Sequence, residues 1–404
     1  MPENVDVVVV GAGQAGLSVS RELAVAGVEH VVLERGRVGQ TWRGRWDSFC
    51  LVTPNWTVRL PGGEYDGDDP DGYLPRDEIV AHLEGWANGF DAPVREEVEA
   101  RSLRREDDGA FLLETTEGEI RARHVVLGTG AYQKAFRPRA AADLPSDLPA
   151  LDVADYRNPD ELPPGRIVVV GSGQSGCQIA EELHQSGRDV VLSCGRAPWV
   201  PRRLGGRDIV WWVLNGGFLD QTADSLPTED AKLWANFQAS GHQGGHDLHT
   251  RTLRAMGVTL VGRFIGADDR RALFAQDLRR SVEWGDERFD QLMDLVRKLV
   301  AERGLELPDM PQPGPIGEEG PAEIDLRDVG AVVFAGGFRP DYRSWVRIPG
   351  AFDPDGFPIQ EDGRSTVADG LSFIGVHFMR KRKSTLLVGV GEDAGIVARA
   401  IAES

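Results

Sequence analysis

The sequence predicts an α/β chain made of two dinucleotide-binding domains. Three observations carry that expectation: an opening apolar run that ends in a glycine-rich turn, a second copy of the same unit 160 residues later, and a helical pattern after each. Length agrees, because 404 residues are too many for one hydrophobic core.

The first unit is Val5-Asp6-Val7-Val8-Val9-Val10, then Gly11-Ala12-Gly13-Gln14-Ala15-Gly16, then an amphipathic segment to Ala26. The second is Arg166-Ile167-Val168-Val169-Val170, then Gly171-Ser172-Gly173-Gln174-Ser175-Gly176, then a helical segment to Ser186. Each closes on another apolar run, Val31-Val32-Leu33 and Val190-Val191-Leu192. Unbroken apolar strands alternating with helices read as buried parallel strands of βαβ units, so both domains are Rossmann-like. Between them a proline-rich stretch from Pro138 to Gly165 blocks regular structure and reads as a connection. Two further strand-to-glycine turns appear at Val125 to Gly130 and at Ala331 to Phe338. The expected layout is an FAD-binding domain from residues 1–160 and 320–404, interrupted by an NADPH-binding domain at 161–319. A helical, charged insertion on the substrate side covers 204–310.

The glycine motif gains its force from context. Its first glycine makes the tight turn, its second lets the backbone approach a pyrophosphate, and its third lets helix and strand pack closely. The helix N-terminus then offers free N–H groups to the phosphates. The candidates for this work are Gly11, Gly13, Gln14, Ala15 and Gly16 in the first unit, and Gly171, Ser172, Gly173, Gln174, Ser175 and Gly176 in the second. The units differ at the end of their second strands. Glu34, 23 residues after Gly11, accepts hydrogen bonds from ribose hydroxyls and repels a 2′-phosphate, which suits FAD. The second unit has no acid there. Arg196, 25 residues after Gly171, is placed to meet the 2′-phosphate of NADPH, with Arg202 and Arg203 near it in sequence. The competing reading of Arg196 is an ordinary surface arginine.

Composition narrows the partners. The formal net charge is −19, from 64 acidic and 45 basic residues. Such a surface repels nucleic acid and anionic membranes, and no apolar stretch reaches the length of a membrane span. Three cysteines without a C-x-x-C pair, and no room for a signal peptide before the first strand, predict a reduced, cytoplasmic protein. Oligomeric state lies beyond the sequence; a homodimer is the arrangement to look for.

Several further stretches make the chain resemble the flavin-containing monooxygenase family, including its YUCCA-type and Baeyer–Villiger branches. They are Gly39-Gln40-Thr41-Trp42-Arg43, Arg45-Trp46-Asp47-Ser48, Leu51-Val52-Thr53-Pro54-Asn55 and Gly128-Thr129-Gly130. They continue with Tyr156-Arg157-Asn158-Pro159, Trp199-Val200-Pro201-Arg202-Arg203, Ala335-Gly336-Gly337-Phe338-Arg339-Pro340 and Gly389-Val390-Gly391-Glu392-Asp393-Ala394. The resemblance implies FAD reduction by NADPH, oxygen addition to a C4a-(hydro)peroxyflavin, and oxygenation of a small organic substrate at nitrogen, sulfur or a keto group. It also implies that Arg35, Gln40, Thr41, Trp42, Trp46, Thr129, Gly130, Arg202, Gly337 and Glu392 join the cofactor sites. By the same resemblance Asn55 and Thr53 face the oxygen side as the catalytic candidates. An Asx-type turn after Pro54 is the plain alternative for Asn55.

Two departures stand out. Asp152 occupies the place of a linker histidine most characteristic of the Baeyer–Villiger branch, which weakens that assignment. The third turn reads Ala335-Gly336-Gly337 where Ala-Thr-Gly is usual. Among other features, His242, His246 and His249 have near-helical spacing, but Gly241, Gly244 and Gly245 argue for a loop, and no metal site is expected. Trp211, Trp212, Trp234 and Phe237 read first as core and second as substrate contacts. The basic run Arg380-Lys381-Arg382-Lys383 is either a phosphate contact or solvent-exposed. An NADPH oxidase or flavin-dependent reductase that never transfers oxygen is the alternative function, and a redox sensor holding FAD as a structural ligand is a third.

Overall fold

Runs of valine and isoleucine too apolar to face water on either side pair into two mostly parallel sheets, one for each glycine unit. The computed structural model describes residues 1–404 except Ala235 and Asp269. In chain order its first half holds β1 (Glu3–Val10), α1 (Gln14–Val25), β2 (His30–Leu33), α2 (Arg76–Gly89) and β3 (Val94–Arg95). It continues with β4 (Ala100–Arg105), β5 (Phe111–Thr115) and β6 (Gly118–Leu127). Then come β7 (Ala150–Asp152), β8 (Arg166–Val170), α3 (Gln174–Gln185), β9 (Val190–Ser193), α4 (Ile209–Asn215), α5 (Thr250–Met256) and β10 (Thr259–Val261). The chain closes with α6 (Leu278–Arg303), β11 (Val329–Phe334), β12 (Leu371–Phe373) and α7 (Val390–Ala402).

The first sheet runs β12–β6–β1–β2–β3, with these neighbours parallel. Val10, the last residue of its central strand, lies beside Leu33 and Leu127. The hairpin β4–β5 adds to β6 in antiparallel fashion. The second sheet runs β7–β11–β8–β9–β10, every pair parallel. There Val170 lies beside Ser193 and Phe334. The two halves are therefore the same device built twice. β7 and β11 both hydrogen-bond in the second sheet, so among the described residues the chain leaves the first sheet after Leu127 and returns to it at Gln360, where the short strands Gln360–Glu361 and Arg364–Ser365 lead into β12.

The insertion after β9 has its own apolar cluster. α6 is amphipathic and buries Phe289, Leu292, Met293 and Val296 against Trp199, Trp212 and Val213. Trp199 and Phe289 stack with ring centroids 4.3 Å apart. Of the tryptophans of the insertion, Trp212 is thus in the core, whereas Trp234, with Phe237, lines a cavity of about 320 Å³. Among the described residues no helix is long and apolar enough to cross a membrane.

Candidate dinucleotide and active site

Both glycine turns stand at the carboxyl ends of central parallel strands, where open α/β sheets bind nucleotides. Gly11 adopts φ +104° and Gly171 φ +114°, conformations L-residues rarely enter. Gly11 N–H donates to the Leu33 carbonyl at 2.7 Å, and Gly171 N–H donates to Ser193 at 3.0 Å. A Cβ at Gly11 would stand 2.9 Å from the Gly128 oxygen, and one at Gly16 or Gly176 would collide with the carbonyl of its own turn. Gly13 differs: a Cβ there meets nothing within 4 Å, so the space above it is open. Gly13 and Gly173 are the N-caps of α1 and α3, and neither helix has a side chain capping its first turn. Those N–H groups are available to a pyrophosphate. The residues present fit FAD at the first turn and NADPH at the second.

Side chains behind the turns fix them in place. Glu34 is buried and accepts from Ala12 N at 2.8 Å and from Gly36 N at 3.0 Å, one bond to each oxygen. Each carboxylate oxygen keeps a lone pair for a ribose hydroxyl. Arg35 and Thr41 are exposed at the rim, and Gln40 Oε1 accepts from Arg37 N at 3.1 Å. Trp42 donates through Nε1 to Gln14 Oε1 at 2.9 Å, and Gln14 Nε2 donates to the Thr385 carbonyl at 3.3 Å. In the second unit Ser172 Oγ bonds Gly195 in both directions, while the Gln174 carboxamide clasps the backbone of Ala239. Ser175 sits half-buried on the first turn of α3. Arg196 is exposed beyond the end of β9.

Arg202 requires a correction. Its proximity to Arg196 in sequence suggested a phosphate contact, but the side chain is 2% exposed. It forms an ion pair with Asp208, donates to the Val52 carbonyl at 2.8 Å, and lies over the Tyr73 ring at 5.0 Å. Tyr73 in turn donates to Asp208 Oδ2 at 2.6 Å. A cation enclosed this way fastens the 52–73 loop to the second half and is not free for a nucleotide. Arg203 remains exposed.

The segment after Gly39 joins the halves more than it lines a cofactor. Trp46 is 2% exposed and packs with Val153, Tyr156 and Cys177 in the core of the second sheet. Ser48 and Tyr156 both donate to Glu182, at 2.7 and 2.8 Å. Asn158 donates to Asp47 at 2.8 Å, and Arg157 to the Gly44 carbonyl at 2.9 Å. Two stretches that looked like separate signatures, 45–48 and 156–159, therefore bind each other. Asn55 is 3% exposed; its amide donates to the Asp69 carbonyl and its oxygen accepts from Leu74 N. Thr53 Oγ1 accepts from Thr57 at 2.8 Å. Asp152, in the place of the linker histidine, pairs with Arg137 at 2.6 Å.

The remaining turns reveal residues not singled out from sequence. Gln133 donates to Thr129 Oγ1 and to the Gly130 carbonyl, and accepts from Asp341 N. Tyr342 donates to the same Gly130 carbonyl at 2.7 Å. Gly375, at φ +76°, lies so close to Ala15 that a Cβ would stand 2.5 Å from the Ala15 Cβ. Its signal was a glycine directly after an apolar run. Gly337 has φ +87° with no atom near its Cβ direction. Glu392, at the start of α7, pairs with Lys381 at 2.9 Å and with Lys383.

The three histidines go separate ways. His242 lies in a short turn with Gln243 and Gly244. His249 caps α5 and stands 4.9 Å from the Trp199 ring, and burial brings its pKa down to about 4. His246 bonds Glu181 at 2.7 Å, and that bond raises its pKa above 6.5. A raised histidine contributes stability that is full below its unfolded pKa and lost as pH rises through the folded one. The melting-temperature difference between the native protein and His246→Asn is expected to be larger at about pH 5.5 than at about pH 8.5. An equal difference at both would remove this ion pair from the account.

Comparisons with known proteins agree with this geometry. The family described as pyridine nucleotide-disulphide oxidoreductase matches residues 8–204. An uncharacterized CzcO-like oxidoreductase of Geobacillus kaustophilus is 31% identical over 396 residues, covering 98% of this chain and 97% of the relative. The rice indole-3-pyruvate monooxygenase YUCCA4 is 28% identical over 52% of this chain and 56% of its own. The solved flavin-containing monooxygenase of Stenotrophomonas maltophilia superposes with a TM-score of 0.69 at 19% identity, covering 99% of both chains. By this evidence of likeness along its whole length, the chain belongs to the CzcO-like oxidoreductases and carries the two-domain fold of the flavin-containing monooxygenases.

Proposed function

We propose that the protein is an FAD- and NADPH-dependent monooxygenase of a small organic substrate, working through a C4a-(hydro)peroxyflavin. The observation that carries the reading is the asymmetry of two otherwise equivalent turns. One ends in a buried acid, Glu34, and the other in an exposed cation, Arg196. Bound FAD supplies the redox and oxygen chemistry; the chain binds, orients and excludes water. Gly11 to Gly16 cradle the FAD pyrophosphate and Glu34 takes its ribose hydroxyls. Gly171 to Gly176 hold NADPH, and Arg196 takes the 2′-phosphate. Thr129, Gly130 and Gly337 shape the remaining turns. Asn55 keeps one amide hydrogen beyond its bond to Asp69, and with Thr53 it orders water on the oxygen side.

The decisive experiment is anaerobic reduction by NADPH followed by mixing with oxygenated buffer. A near-ultraviolet absorbance that precedes the return of oxidised flavin, and decays faster with substrate, is the expected result. Direct return with stoichiometric peroxide would favour the oxidase or reductase alternative. Absence of reduction by NADPH would remove the two-nucleotide reading.

Arg196 offers a sharper test. Arg196→Ala is expected to weaken NADPH about 10- to 100-fold, as for loss of a charge-assisted bond, and to leave NADH nearly unchanged. Steady-state KM values for both nucleotides check it; equal losses would reassign Arg196 to the surface.

A further inference from the structure

The cavity of about 320 Å³ in the insertion has, among the described residues, a lining without any acidic residue, in a chain with 64 of them. Its walls are aromatic: Trp234 and Trp284 meet edge to face at 5.1 Å, and Phe218 and Phe237 lie 5.0 Å apart. Two cations reach it, Arg288 and Arg382. Arg288 is paired with Glu287 at 3.3 Å and lies over the Trp284 ring.

Arg382 is different. Every other member of its basic run has carboxylate partners. Arg380 holds Asp362 and Asp393, while Lys381 and Lys383 share Asp220 and Glu392. Arg382 has no carboxylate within ion-pair distance among the described residues. It is held between the rings of Phe218 and Phe378, at 4.3 and 4.7 Å, and donates to the neutral Gln221 oxygen at 3.0 Å. Burial lowers its pKa to about 10, so it still carries its charge at neutral pH. A cation partly withdrawn from water without a counter-ion is costly, and an incoming anion relieves that cost. No carboxylate of the lining stands to repel such an anion at contact.

We propose that this cavity takes an organic monocarboxylate with a flat aromatic or apolar body, and that Arg382 receives the carboxylate. The volume suits such a molecule, falling at the lower end of the roughly 300–1,000 Å³ typical of small-molecule sites. This names the substrate class for the function proposed above, and rests on it.

The test is calorimetric titration of the FAD-loaded protein, saturated with NADP+, with 3-phenylpropanoate and with its neutral amide. The acid is expected to bind at least about 10-fold more tightly than the amide. Arg382→Gln is expected to weaken the acid about 10- to 100-fold and the amide less than about twofold, with Arg382→Lys between. Should the glutamine variant not fold, the acid-to-amide ratio of the native protein decides. Equal binding of acid and amide overturns the proposal. So does binding of the acid that NADP+ abolishes, since the cavity then belongs to the nucleotide. Heat of binding needs no turnover: selective binding of the acid by a protein that shows no near-ultraviolet intermediate after reduction and mixing with oxygen would uphold the cavity and reject the monooxygenase reading.

Discussion

Gly176→Ala is expected to yield a yellow protein that NADPH no longer reduces at a useful rate. The added Cβ would fall on the carbonyl oxygen of Gly171 and stand 3.3 Å from the Ala335 Cβ. Neither neighbour is a flexible side-chain tip, so α3 must move off the turn. Its first N–H groups, which no side chain caps, then lose their aim at the pyrophosphate. Misplacement of about 1 Å in such a site costs on the order of 100-fold. The first turn lies in a separate sheet and keeps its own geometry, so flavin content is expected to stay near one per chain. The sister substitution Gly16→Ala meets the same collision in the first turn and is expected to give colourless protein. Absorbance of the purified variants and anaerobic reduction kinetics read both effects. Reduction of the Gly176 variant at the native rate would show that the second turn holds no nucleotide.

The second large effect concerns stability. Arg202→Ala is expected to destabilise the protein by about 3–5 kcal/mol, the usual result of removing one partner from a buried ion pair. Asp208 would be left with only the Tyr73 hydroxyl and Val210 N–H to offset its charge, and the Val52 carbonyl would lose its donor. Arg203→Ala, one residue on and exposed, is expected to change stability by less than about 0.5 kcal/mol. Denaturant unfolding of the pair measures the contrast. Comparable small losses from both would mean that Arg202 is solvated in solution and available to a nucleotide after all.

Arg202 also shows where sequence reading reaches its limit. The two glycine units were legible because everything that defines them is local: an apolar strand, a turn that only glycine can make, and an amphipathic helix. The placing of Glu34 and Arg196 just beyond their second strands was legible for the same reason, each lying at a fixed distance after its turn. What Arg202 does depends on Asp208, Tyr73 and Val52, and two of these are far away in sequence. No local pattern announces such a partner. Trp46 was misread by the same mechanism, since its burial among Val153, Tyr156 and Cys177 depends on how the halves dock. The basic run 380–383 looked like one feature and is two. Three of its members are neutralised by acids, and only Arg382 is left facing a cavity. Charge runs reveal composition, whereas unpaired charge requires coordinates.

The late return of the chain to its first sheet, from Gln360 onward, sets an order for folding during synthesis. The second sheet draws on residues 150–334 only and can close as soon as that stretch has left the ribosome. The first sheet has its glycine turn within the opening residues, yet it waits for β12 beside β6 and for α7 against α1. At roughly 5–20 residues per second, the first sheet stays incomplete for several seconds after the second is whole. A chain released before residue 360 would therefore be expected to hold a closed second sheet and an open first one.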